Sequence, residues 1–265
     1  MSRTVLITGA TDGLGRALAS HAYREGWDVL AHGRSAERLE ALAGELAGVR
    51  TFRADLAALD DVAALAAAVA GSVDRLDVLV SNAGIGGTQP GDGKRMESAD
   101  GHELRFAVNY LAGYALTRRL LDLLQASAPA RVVSVSSAGQ MALDFSDVML
   151  RRAYDGTRAY CQSKLAQVMF TFDLAAELDA GAVAATALHP GTYMPTKMVT
   201  GSGIAPLTPL EHGVEATWRL VASPELDGVS GRYFNGTRES RPDGQALDRG
   251  ARRVLRELSE RLTGV

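Results

Sequence analysis

Tyr160 and Lys164 stand four residues apart in a stretch of helical periodicity, so their side chains share one face. A phenol titrates at about 10 in water and is a weak acid or base catalyst near neutrality. An ammonium group beside it favours the phenolate and lowers that value. Lysine also keeps donors to spare for the hydroxyls of a ligand. The same spacing occurs on any solvated helix face, so the pair needs support from elsewhere in the chain.

Support comes from a strand-like run, residues 131–135, that ends in Ser136-Ser137. A hydroxyl at the carboxyl edge of a sheet can bond a substrate oxygen and stabilise charge that develops there. Ser137 could equally be a helix cap or a turn residue. Asn109 lies inside an apolar helical pattern, where asparagine is a poor helix former. A buried amide there could hold an ordered water behind the lysine, or be satisfied by its own helix backbone.

Elements that would position these groups recur along the whole chain. Strand-like runs fall at 4–7, 27–31, 49–52, 76–80, 131–135, 182–188 and 231–234. Helical patterns fall at 14–25, 36–46, 59–73, 102–124, 157–178 and 210–222. This alternation predicts βαβ units and an α/β fold, a Rossmann-type doubly wound parallel sheet of about seven strands with helices on both faces. No linker, repeat or low-complexity block divides residues 1–265, which predicts one dinucleotide-binding domain. Right-handed crossovers put ligands at the carboxyl ends of the strands.

The first such end carries TGATDGLG, residues 8–15, between a strand and a helix. That order places a phosphate at a helix N-terminus, where free N–H groups and the helix dipole favour negative charge. Gly9, Gly13 and Gly15 would provide a tight turn, room for a pyrophosphate and close helix–strand packing, with Thr11, Asp12 and Leu14 completing the turn. The second strand ends at Gly33-Arg34, where an acidic residue would mark a bare ribose. A guanidinium instead pairs with a 2′-phosphate, so NADP(H) is the expected cofactor and NAD(H) the alternative. Arg34 could also be a solvated arginine at a helix start, and Asp12 adds an opposing negative charge. Asp55-Leu56 closes the third strand; the carboxylate either accepts from an adenine amino group or caps the next helix. Asn82, Ala83 and Gly84 close the fourth, small enough for a flat ring to approach, and Asn82 can bridge neighbouring strands.

The totals narrow the remaining classes. The 265 residues, 46% hydrophobic and 22% charged, are ordinary for a globular α/β protein with a substantial core. A net charge of −3 gives no reason to expect nucleic acid or an anionic membrane as partner. The one cysteine, Cys161, excludes an internal disulfide and fits a reducing, cytoplasmic compartment. Met1-Ser2-Arg3 runs straight into the first strand, so no signal peptide is expected; no apolar run approaches the roughly 20 residues of a membrane span, and no metal-ligating cluster is expected.

Taken together, TGATDGLG, Asp55-Leu56, SNAG, the Asn109 helix, VSS, YCQSK and His189-Pro190-Gly191 resemble the short-chain dehydrogenase/reductase family in its single-domain branch. FAVNYLAGY and YCQSKLAQVMF are similar to its retinol-dehydrogenase-like and WW-domain-oxidoreductase-like members. The resemblance implies a catalytic tetrad of Asn109, Ser137, Tyr160 and Lys164. Tyr160 would exchange the alcohol proton, Lys164 would lower its pKa and bind the nicotinamide ribose, Ser137 would orient the carbonyl, and Asn109 would hold a relay water. The resemblance also places the nicotinamide carboxamide beside Pro190-Gly191 and a following threonine, either Thr192 or Thr196.

Ser137 and Tyr160 are separated by 23 positions, longer than the shortest family members, which predicts a flap at about 140–156 beside the substrate. A second mobile segment is expected at 192–210. Met141, Met149, Met194 and Met198 fall in these loops, consistent either with a lidded apolar pocket or with loops plugged against the core. An amphipathic helix is expected at about 245–262, docking on its own domain. The family often dimerises through the helices that hold Asn109 and Tyr160; the flap could obstruct that contact, and a homo-oligomer stays open. The expected activity is NADP(H)-dependent interconversion of a ketone or aldehyde and an alcohol, on a small and largely apolar substrate. Epimerisation or dehydration by the same tetrad, and cofactor sensing without turnover, are the alternatives.

Overall fold

A computed structural model describes residues 2–265. The chain runs β1 (Thr4–Ile7), α1 (Gly13–Arg24), β2 (Asp28–Gly33), α2 (Ala36–Glu45), β3 (Arg50–Arg53), α3 (Leu59–Ala70) and β4 (Val78–Ser81). It continues through a π-helical turn (Phe106–Leu111), α4 (Ala112–Arg119), α5 (Leu121–Ala126), β5 (Ala130–Val135), α6 (Gly156–Glu177) and β6 (Val183–His189). It ends with α7 (Lys197–Thr200), α8 (Leu210–Ala222), β7 (Arg232–Asn235), β8 (Arg238–Ser240) and α9 (Arg249–Thr263).

The strands form one sheet in the order β3-β2-β1-β4-β5-β6-β7-β8, parallel except for β8. Alternate residues of each strand serve opposite faces. Leu6, Leu30, Leu79 and Val132 join the core beneath α3, the π turn, α4, α6 and α9. Their neighbours Val5, Ile7, Val29, Val78, Val80 and Val133 pack on the other face, against α1 and α8. Burial on both faces explains why these strands read as continuous apolar runs. The strand order reverses between β1 and β4, which opens a crevice at their carboxyl ends.

Three expectations are corrected. The sheet has eight strands, not about seven. β8 is Arg-Glu-Ser, short and without apolar alternation; only the Asn235-Gly236 hairpin pair announced it. The continuous helix over 102–124 is interrupted: a π turn occupies Phe106–Leu111 and α4 gives way to α5 at Leu120. The C-terminal helix starts at Arg249, capped by the Asp248 carboxylate, and a short 3-10 turn, Gly244–Leu247, replaces its expected first turn. α9 lays Leu255 and Leu258 on the core, and Ser259 Oγ lies 2.7 Å from the Tyr110 hydroxyl.

Candidate active site

The glycine turn is set by its close contacts. Gly9 adopts φ +66°, which favours glycine, and its N–H donates to His32 Nδ1 at 3.3 Å. A Cβ on Gly15 would collide with the Gly9 carbonyl oxygen and with Asn82 Nδ2. Asn82 does bridge strands, as expected: its Nδ2 donates to the Thr8 carbonyl at 2.7 Å. Thr8, which the sequence reading passed over, accepts from the Asn82 and Ala83 N–H groups at 2.9 and 3.0 Å and so joins the ends of β1 and β4. The α1 N-terminus opens on this cradle, so the backbone suits a pyrophosphate.

Leu14 and Leu56 are buried in the two cores, so only their backbones can face a ligand. Thr11 packs against Gly33. Arg34 is exposed just past β2, and its guanidinium forms no ion pair with a described residue. Arg53 Nε donates to the Arg34 carbonyl at 3.3 Å, bringing a second guanidinium to that edge. The charge of Asp12 is compensated: it accepts from Gly13 N–H at 2.8 Å and pairs with Lys197 at 3.0 Å and Arg38 at 3.4 Å. Asp55 does not cap α3, whose N-cap is Ala58; its Oδ1 accepts from Ala57 N–H at 3.0 Å in a tight turn, while Asp100 serves the Leu59 N–H.

The four candidate chemical residues gather at the ends of β4 and β5. Lys164 Nζ donates to the Val135 carbonyl and to Gln167 Oε1, both at 3.0 Å, and lies 5.8 Å from the Tyr160 ring centroid. Burial pushes Lys164 down to about 8. Burial also pushes the Tyr160 phenol above its ordinary value, opposed by the neighbouring Ser137 side chain. Desolvation sets the net direction for the phenol, while the buried lysine spends its own bonds on β5 and on Gln167. Ser137 Oγ accepts from Gly139 N–H at 3.0 Å, and its carbonyl receives the Tyr233 hydroxyl at 2.9 Å.

Asn109 is not satisfied by its own helix backbone. Its Oδ1 accepts from Ile85 N–H at 2.8 Å, and its Nδ2 donates to the Ile85 carbonyl at 3.1 Å and to Ser163 Oγ at 2.9 Å. The amide thus ties the π turn to the chain after β4 and to α6. A Cβ on Gly84 would sit 3.2 Å from Asn109 Oδ1 and 3.4 Å from Lys164 Nζ, so a bare glycine leaves the lysine approachable from the crevice. With the glycine cradle, this space fits a dinucleotide reaching from β1 to the Tyr160–Lys164 face.

The segment after β6 closes over this crevice. Pro190 is buried; Thr192 turns back to bond His189 at 3.1 Å, whereas Thr196 packs against Gly13. Of the two threonines, Thr196 is the one beside the cradle. Met198 meets Gly86 and Thr88 Oγ1 lies 2.7 Å from Ser202 Oγ, so the segment touches both rims. Met194 plugs the core beside α8, and Met149 accepts from Glu103 N–H through its sulfur at 3.4 Å. Met141 is exposed. The methionines therefore divide between plugging and rim positions. The 140–156 stretch is pinned: Gln245 bonds both backbone groups of Leu143, and Gln162 Nε2 reaches the Ala142 carbonyl at 2.7 Å.

A buried arginine, also missed, holds the loop beside the site. Arg105 donates to the Gly86 and Gly87 carbonyls, both at 2.8 Å, to Pro90 at 3.1 Å and to the Tyr154 hydroxyl at 2.7 Å. Tyr154 in turn donates to Glu103 Oε1 at 2.8 Å. An arginine within an apolar helical run was the available signal.

Among the described residues no helix is long and apolar enough to cross a membrane, and no cluster of possible metal ligands occurs. A family model described as "short chain dehydrogenase" matches residues 3–204. Mouse (Mus musculus) retinol dehydrogenase 13 is 35% identical over 99% of this chain and 84% of its own length. Human (Homo sapiens) retinol dehydrogenase 14 is 36% identical over 99% of this chain and 87% of its own. A short chain dehydrogenase from Shigella flexneri, solved in complex with NADP, is similar at TM-score 0.72 and 25% identity, covering 88% of this chain and 96% of that one. The crevice at the strand reversal and the lysine buried beside a tyrosine thus sit in a chain that belongs to the short-chain dehydrogenase family, the NAD(P)-dependent oxidoreductases acting on CH–OH groups.

Proposed function

We propose that this oxidoreductase uses NADP(H) to interconvert a ketone or aldehyde and an alcohol, with Tyr160 giving or taking the alcohol proton. The observation that carries the reading is the buried Lys164 Nζ, 5.8 Å from the Tyr160 ring centroid, with Ser137 Oγ and the edge of that ring both flanking Gly139. A bound nicotinamide supplies or accepts the hydride. Ser137 holds the substrate oxygen beside the phenol. Lys164 favours the phenolate electrostatically and offers a donor to a ribose hydroxyl. Asn109 keeps the segment after β4 in register with α6 and so shapes the floor of the site.

The NADP(H) preference rests on Arg34, exposed and without an ion pair among the described residues, on Arg53 beside it, and on the neutralisation of Asp12 by Arg38 and Lys197. An apolar substrate is favoured by the exposed Met141, Tyr193 and Leu207 in the two site loops. Retinol, for which the curated relatives are named, is an alcohol of that kind. The lone Cys161 suits a reducing compartment such as the cytoplasm.

Tyr160→Phe tests the reading. Turnover with NADPH and carbonyl compounds should fall by about 10²- to 10⁴-fold. NADPH affinity, followed by fluorescence, should stay within about twofold. Activity retained in the variant would remove Tyr160 from proton transfer.

A further inference from the structure

Lys164 is almost completely buried, at 3% exposure, and an ammonium group there must find acceptors. It has two: the Val135 carbonyl, fixed by β5, and Gln167 Oε1. The lysine can only donate, so the amide oxygen of Gln167 must face it and the amide nitrogen must face away. That Nε2 is buried without a hydrogen-bond partner, in a residue only 4% exposed. Gln167 also borders a void of about 10 Å³, shared with Ser81, Asn109 and Ser134. A void of this size sits at the lower limit for one water, and its mostly apolar lining includes the polar side chains of Ser81, Asn109, Thr117 and Ser134 beside Gln167.

The geometry points to Gln167 as a positioning residue for Lys164: Oε1 anchors the ammonium, and Nε2 donates to one ordered water in the void. The amide thereby fixes the distance between the charge and the Tyr160 ring. No other ionised group takes part. β5 presents the Val135 carbonyl and Ser134, and the π turn presents Asn109. Tyr110 and Tyr114 also border the void, but their hydroxyls are engaged with Ser259 and with the Val265 carbonyl. Burial holds both phenols above their ordinary range. Tyr160 is thus the titratable group that responds to the position of Lys164.

The inference rests on the role given to Lys164 above, so its experiment includes a readout that needs no turnover. Gln167→Met keeps the bulk and removes both polar atoms. Loss of an acceptor disfavours the ammonium, so the Lys164 Nζ midpoint, read by NMR on the ¹⁵N-lysine-labelled full chain, should move down by about one pH unit. In the assay, turnover at neutral pH should fall about tenfold, and the rise of alcohol oxidation with pH should shift to higher pH, while KM for the dinucleotide stays within about twofold. An unmoved midpoint together with an unmoved pH profile would overturn the assignment. A shifted midpoint in a chain inactive towards all carbonyls would keep it and overturn the proposed reaction instead. If the variant does not fold, a high-resolution crystal structure of the unsubstituted chain decides: a water bonded to Gln167 Nε2 upholds the assignment, and an empty void overturns it.

Discussion

The carboxylate of Asp12 meets the ammonium of Lys197 at 3.0 Å, joining the glycine turn to the segment that follows β6. Both side chains are substantially exposed, so the pair adds little to folding. Its effect falls on the charge seen by a phosphate. Lys197→Ala should leave stability within about 0.5 kcal/mol and weaken NADPH binding several-fold, with a smaller salt dependence. Titrations at two ionic strengths check this.

Arg34 separates the two nicotinamide dinucleotides. Arg34→Ala should weaken NADPH by about tenfold or more, because a charge-assisted pair with the 2′-phosphate is lost, and leave NADH nearly unchanged. Equal losses for both would reverse the cofactor assignment.

Lys164 weakens the fold that it serves. Its folded pKa of about 8 lies below its unfolded value, so the unfolded chain binds more protons between about 8 and 10.5 and stability rises with pH through that window. Lys164→Met removes the buried charge but strands the Val135 and Gln167 acceptors. It should stabilise the protein by about 1–3 kcal/mol below pH 8 and abolish turnover, with the gain vanishing towards pH 10.5. Urea melts at pH 7 and pH 10 measure the difference.

Burial lowers the pKa of His32, whose neutral ring links Gly9 N–H to the Ala54 carbonyl. The folded state therefore resists protonation. Its contribution is intact above about pH 6.5 and is lost as the pH falls below that value. Cofactor affinity should decline in the same window, because a protonated Nδ1 can no longer accept from Gly9. His32→Asn should flatten that decline. His189, also lowered by burial, contributes to the stability trend but not to the glycine turn.

Arg105 is wholly buried, and four of its hydrogen bonds end on the 86–90 loop and Tyr154. Arg105→Leu should cost about 3–5 kcal/mol, since several carbonyls and Glu103 lose a charged partner. Thermal melts and hydrogen exchange of residues 86–90 would show the loosened wall.

The sheet was legible because each strand announces itself twice. Val5 and Ile7 fill one core and Leu6 the other, leaving an uninterrupted apolar run. The crevice was legible because its glycines and small residues answer to local backbone geometry. What stayed hidden depends on partners distant in sequence. The π turn has the same apolar composition as an ordinary helix, and what sets Asn109 apart is the Ile85 backbone. Arg105, His32 and Gln167 look like scattered polar residues until loop carbonyls, a glycine N–H and a lysine close around them. The net direction of the Tyr160 shift stayed hidden for a related reason: sequence spacing shows the neighbouring charge but not the depth of burial.

The segment that touches Gly13 on one side and Gly86 on the other spans the crevice like a bar across a doorway. Any dinucleotide laid between those two rims would lie beneath it, held on both sides by one stretch of chain.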